Sequence, residues 1–151
     1  MARKARLNRH SAAWEAFISR EKPKEAKTSA KKAVPSENSE QMRVAEFLDA
    51  SPGVVWAAVP NGGKRSKFEA IVFKKTGVKR GVPDCLVFTP PPALPAAKGT
   101  AFEMKKADGV PSDVSDDQRL WLDRLERLGW ATFVAYGADD ALRQLRSLGY
   151  K

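Results

Sequence analysis

The residues best suited to chemistry in this chain are three acids, a lysine and a glutamine: Glu40, Asp84, Glu103, Lys105 and Gln118. Glu103 and Lys105 fall in "FEMKK", residues 102–106. Successive side chains on a strand point to opposite faces, so Glu103 and Lys105 share one face, roughly 6.5 Å apart, and Phe102 and Met104 share the other. That is either ordinary surface alternation or a carboxylate and an amine aimed at one reaction. Asp84 stands where the loop "GVPD" meets the apolar run "CLVF". A carboxylate at the mouth of an apolar strand is costly unless it is paired or binds a cation. The alternative is a turn aspartate bonded to backbone amides.

Glu40 and Gln118 belong to helical patterns. Val44 and Phe47 follow Glu40 at i+4 and i+7, so Glu40 lies along the apolar stripe of its helix, whereas Glu46 points away. A first-turn glutamate is also favoured by the helix dipole alone. Leu122 and Leu125 stand in the same relation to Gln118, and Ser115-x-x-Gln118 is in addition a capping box.

Composition narrows the chemistry. The chain has 151 residues, one histidine (His10) and one cysteine (Cys85). A Ser-His-Asp triad, a His-metal cluster, a Cys-rich zinc site and an internal disulfide are excluded from the core domain. Any catalysis here falls to carboxylates and lysine, with or without a metal ion. The mean hydropathy of −0.46 and the lack of a long apolar run argue against a membrane span. The basic start "MARKARLNRH" leads into no secretory apolar stretch. The expected location is the cytoplasm, or that of an infected cell.

The net charge of +9 is uneven. Residues 64–80 hold seven basic residues against Glu69 alone. Such a patch suits phosphate-rich partners, although charged faces are often only solvated.

The elements that must position these residues follow from pattern. Residues 1–38 read as a basic arm: a short amphipathic helix around Trp14, Phe17 and Ile18, then a charged linker with two prolines. Residues 39–151 read as one domain. A helix over "EQMRVAEFLDA" starts with an Asn38-x-x-Gln41 capping pattern, and Pro52-Gly53 ends it. "VVWAAV" reads as a strand and "KFEAIVFKKTG" as a helix, with a strand as its rival. "CLVF" reads as an interior strand and "TAFEMKK" as its neighbour across a proline-rich connection. "DQRLWLDRLERLG" is an amphipathic helix ending at Gly129, followed by strand "WATFVAYG" and helix "ADDALRQLRSLG". The predicted fold class is α/β: a central mixed β-sheet flanked by helices, in the order αβ(α)ββαβα.

Taken together, "SEQMRVAEFL", "VPNGGKRS", "GVKRGVPDCLVF" and "FEMKKADGVPSDVSDDQRLWLDRLERLGW" resemble the VRR-NUC domain of the PD-(D/E)XK nuclease superfamily. The likeness includes the small stand-alone versions carried by phages and covers about residues 39–149. Cys85 stands where that pattern leads one to expect an aliphatic residue, and the connection over residues 89–99 is unusually rich in proline.

The resemblance implies a restriction-endonuclease-like sheet and a DNA endonuclease dependent on Mg²⁺ or Mn²⁺, hydrolysing phosphodiester bonds. It implies that Asp84, Glu103, the Met104 carbonyl and Glu40 serve the metal. Hard cations prefer such oxygen ligands. Lys105 would position or deprotonate the attacking water, and Gln118 would orient water or the phosphate. Asn61, Lys64, Arg65, Lys79, Arg80 and Lys106 would grip phosphates around the site. Stand-alone members resemble Holliday-junction resolvases, which points to branched DNA and a homodimer, with no membrane and no nucleotide cofactor. The alternative is a nucleic-acid-binding module that keeps the fold without the chemistry.

Overall fold

The computed structural model describes residues 36–60 and 67–151. The basic arm up to residue 35, together with Asn61, Lys64 and Arg65, lies outside the described residues. The elements run α1 (Glu37–Ala50), β1 (Trp56–Ala58), α2 (Lys67–Lys75), β2 (Cys85–Val87), β3 (Thr100–Lys105), a 3₁₀ turn (Pro111–Asp113), α3 (Asp116–Arg127), β4 (Ala131–Tyr136) and α4 (Gly137–Ser147). This is the expected order. The ambiguous "KFEAIVFKK" is helical.

The strands form one mixed sheet in the order β1-β2-β3-β4. β1, β2 and β3 pair antiparallel, and β3 pairs parallel with β4. β2 is interior, as its apolar run requires. On one face Cys85, Val87, Phe102, Met104, Phe133 and Ala135 join Val44 and Leu48 of α1 and Ala141 and Leu145 of α4 in the buried core. Phe102 and Phe133 are register partners, and their rings stack at 4.8 Å between centroids. Such a pair adds about 0.5–1.5 kcal/mol beyond its buried area. The proline-rich connection packs against the end of α4, where Ala93 N donates to Leu148 O at 2.9 Å. Tyr150 then bonds Thr100 and Thr89 with its hydroxyl.

Three details differ from the sequence expectation. Ser36, not Asn38, caps α1: its Oγ accepts from Ser39 N at 3.2 Å, and the helix starts at Glu37. A serine hydroxyl two residues earlier does the work expected of Asn38 and lengthens the helix by half a turn. The strand expected over "VVWAAV" narrows to Trp56–Ala58, flanked by single backbone bonds from Phe88 N to Val55 O at 2.8 Å and from Val59 N to Asp84 O at 2.7 Å, while Val55 N turns to the Thr89 side chain. In α3, Leu122 and Leu125 are only half-buried, and no residue of that helix is fully buried. Amphipathic spacing predicts which face turns inward, not how closely the sheet beneath can pack. Here that sheet face carries polar side chains.

Candidate active site

Asp84 immediately precedes β2, so the β2–β3 ladder ends before reaching Met104. The Met104 N–H, beyond the last paired strand residue, donates to Asp84 Oδ2 at 2.9 Å. The carboxylate thus extends the ladder by one rung. The N–H and C=O of a strand residue face the same neighbour. The Met104 carbonyl therefore lies on the Asp84 side of β3.

Glu103 is next to Met104 and points to the opposite face. It is 2% exposed. Its Oε1 accepts from Lys105 Nζ at 2.9 Å and from Gln118 Nε2. Its Oε2 is buried with no hydrogen-bond partner among the described residues. Burial pushes the Glu103 carboxyl up to about 7; the Lys105 hydrogen bond opposes this, while the nearby Asp84 charge and a hydrogen bond that a protonated Glu103 would share with the Asp84 carboxylate add to it. A buried carboxylate oxygen without a donor is strongly disfavoured. A cation held between Asp84 and Glu103 would satisfy that oxygen and offset the repulsion between the two acids. The donor set, two carboxylates and a main-chain carbonyl, suits a hard divalent ion.

Lys105 is held from two sides. Its Nζ lies 2.9 Å from Glu103 Oε1 and 3.3 Å from Gln118 Oε1, and the side chain is 14% exposed. Gln118 is locked in turn. Its Oε1 accepts from Ser115 N at 2.9 Å, while Ser115 Oγ accepts from Gln118 N at 3.3 Å. The capping box and the contact with the site are therefore the same residue in one conformation.

Glu40 makes its hydrogen bond and ion pair outside this cluster. It is buried on α1, as the apolar stripe predicts, and Glu46 is exposed. Its Oε2 accepts from Ala138 N in the first turn of α4 and lies 3.7 Å from Arg43 Nη1. α1 packs on the face of Cys85, Phe102 and Met104, opposite Glu103. Among the described residues no three His, Cys, Asp or Glu side chains converge as a metal site. Glu40 does reach the same end of the sheet, since Ala138 follows Tyr136, the register partner of Lys105. Its carboxylate meets the positive end of the α4 dipole there.

The rim is basic and exposed. Lys79, Arg80 and Lys106 are all on the surface. Arg80 Nε lies 3.8 Å from Asp117 Oδ2. Gly81, at φ 76°, lets this loop press against α3: a Cβ there would stand 2.5 Å from the Asp117 carbonyl carbon. The loop that delivers Asp84 and the helix that delivers Gln118 are thereby fixed to each other.

Two residues near the site were not expected. Tyr136 pairs in register with Lys105 on the same face of the sheet. Burial pushes its hydroxyl pKa upward, and Asp113 adds to this. Arg119 donates from Nη2 to Val114 O at 2.7 Å and to Pro111 O at 3.1 Å, pinning the 3₁₀ turn over the start of α3. Aligning "TFVAY" beside "AFEMK" as parallel strands would have revealed Tyr136. Arg119 carries no local signal beyond following Gln118.

No family model and no curated protein matches the sequence. Among solved structures, a VRR_NUC domain protein superposes with a TM-score of 0.61 at 21% identity, covering 76% of this chain and 88% of that one. The chain has the VRR_NUC nuclease fold: α/β, with a mixed four-stranded sheet and flanking helices. No helix among the described residues is long and apolar enough to cross a membrane.

Proposed function

We propose that this chain, built on a nuclease fold, is a metal-dependent DNA endonuclease that hydrolyses phosphodiester bonds and prefers branched or junction DNA. The observation that carries the reading is the buried Glu103 carboxylate. One of its oxygens is bonded to Lys105 and Gln118, while the other has no donor among the described residues and lies beside a second acid. A buried carboxylate oxygen without a donor calls for a cause, and a bound cation supplies one. Asp84, Glu103 and the Met104 carbonyl are the groups that would hold Mg²⁺ or Mn²⁺. Such an ion supplies Lewis acidity toward a phosphoryl oxygen and lowers the pKa of water.

The chain's own residues do the rest. Glu103 and Gln118 fix the Lys105 ammonium at the site, where it orients the attacking water and stabilises charge on the scissile phosphate. An arginine would serve poorly at that position, because its planar guanidinium does not reproduce a compact ammonium and cannot give up its proton. Gln118 holds Lys105 and Glu103 in register and presents its amide to water or phosphate. Glu40 supports the site from the other face by anchoring α4 behind β4. The exposed cations Lys79, Arg80 and Lys106 provide sequence-independent phosphate contacts, so binding weakens steeply with salt. Lys64 and Arg65 belong to the same basic segment as Lys79 and Arg80, and Asn61 stands just before it in the sequence. Two copies acting together would let one small domain cut both strands of a junction.

The test compares wild type with Asp84→Asn and Lys105→Ala on branched, flapped and linear DNA, in Mg²⁺ or Mn²⁺ and in chelator. The expected result is cation-dependent cutting, strongest on branched DNA and lost in both variants while DNA binding persists. Cutting unchanged in the variants would remove these residues from the reaction. Binding without cutting in wild type would leave only the non-catalytic module.

A further inference from the structure

A second feature shares a loop and a helix with the candidate active site. Between the end of β1, α2 and α3 lies a cleft of about 370 Å³, lined by Val59, Phe73, Val78, Val82 and Trp121, with Lys79 at its edge. Its volume lies in the range of ligand sites, roughly 300–1,000 Å³. Phe73 and Val78 are 37% and 44% exposed. Two of its lining residues stand on the segments that carry the candidate active site. Val82 precedes Asp84 by two residues on the same loop. Trp121 follows Gln118 by three residues, hence on the same side of α3.

We propose that this cleft receives an unpaired nucleobase of the DNA strand next to the scissile phosphate, stacked against Trp121 and Phe73, with the backbone phosphate on Lys79. The inference rests on the endonuclease reading and gives its substrate a definite form: DNA with at least one unpaired nucleotide beside the cut.

Three observations favour a nucleobase. Two aromatic side chains line an otherwise apolar slot, the combination on which bases stack without regard to sequence. The surrounding segment, residues 67–80, holds five basic residues against Glu69, which matches a polyanion. The same charge disfavours a second copy of this chain, which would bring an identical basic segment and a net charge of +9. Finally, the cleft borders the loop that ends in Asp84, so a base lodged there leaves its neighbouring phosphate near the two acids.

The test uses the full chain and oligonucleotides carrying 2-aminopurine at the unpaired position of a flap, or at the same position in a fully paired duplex. Fluorescence and affinity are measured in chelator, where no cutting occurs. Wild type is expected to quench the flap probe. Trp121→Leu and Phe73→Leu should each relieve the quenching and weaken flap binding about tenfold more than duplex binding, the order of one lost stack. Two leucine variants, one on each wall, keep the result readable if one fails to fold. An unquenched probe in the wild-type complex would overturn the assignment. So would equal weakening on flap and duplex. Dimers in light scattering that both variants dissolve would give the cleft to a second copy instead. Quenching without any cutting in Mg²⁺ or Mn²⁺ would support the cleft and sink the endonuclease reading.

Discussion

On the face of the sheet covered by α1 and α4, Phe102, Met104, Cys85 and Val87 are at most 1% exposed and pack in one apolar cluster with residues of two helices. On the face beneath α3, the same strand presents Glu103 and Lys105, and the covering helix has no fully buried residue. One strand thus serves two purposes through its alternation. The packed face supplies cohesion through buried apolar area and close fit. The polar face spends part of that cohesion on a buried carboxylate held short of full satisfaction. Stability and chemistry in this chain should therefore be separable by face.

The largest expected effect lies on the polar face. Asp84→Asn, Glu103→Gln and Lys105→Ala should each lower DNA cleavage about a thousandfold. Glu103→Gln should leave the melting temperature unchanged or raise it at pH 8, because it removes a buried charge. A large drop in melting temperature with Glu103→Gln would mean that the carboxylate is structural, and the contrast between faces would collapse.

Next comes the packed face. Phe102→Ala removes a ring stacked on Phe133 and should cost about 3–5 kcal/mol in urea unfolding. A loss below about 1 kcal/mol would show that this face is not the main source of stability.

The contrast also has a pH signature. Glu103 is pushed up to about 7 from an ordinary value near 4.5. Between those values the folded chain holds more protons than the unfolded chain, so the stability of the metal-free protein falls as pH rises from about 5 to 7, then levels off. Glu103→Gln should flatten that slope. Saturating Mg²⁺ or Mn²⁺ should raise stability at pH 8 by favouring the ionised pair. Thermal denaturation across pH with and without the cation measures both.

The smallest effect concerns Glu40. Glu40→Gln should cost about 1–2 kcal/mol of stability, through loss of a charged acceptor at the start of α4, and reduce cleavage less than tenfold. A thousandfold loss of cleavage at unchanged stability would instead place Glu40 among the metal ligands.

Much of this architecture was readable from the sequence because local signals agreed with the fold. The apolar stripe of α1, the interior run "CLVF" and the helix stop at Gly129 each reflect one physical constraint. Even the buried orientation of Glu40 followed from its spacing with Val44. Its partner did not: the Ala138 amide lies 98 residues away and is supplied by tertiary packing alone. Within the candidate site, the shared face of Glu103 and Lys105 and the cap at Gln118 were readable from alternation and capping chemistry, whereas their reading as one site came from the resemblance. Tyr136 was not, because its place beside Lys105 depends on a parallel register that no local pattern encodes. The cleft at Phe73 and Trp121 escaped for a similar reason, as it forms between elements that are each unremarkable.

The most direct measurement is anomalous scattering from a crystal of the chain soaked in Mn²⁺. A single strong peak should stand within about 2.0–2.3 Å of an Asp84 oxygen and of Glu103 Oε2, on the side of the Met104 carbonyl. A map with no peak between those two acids, or with manganese only at surface carboxylates, would contradict the account.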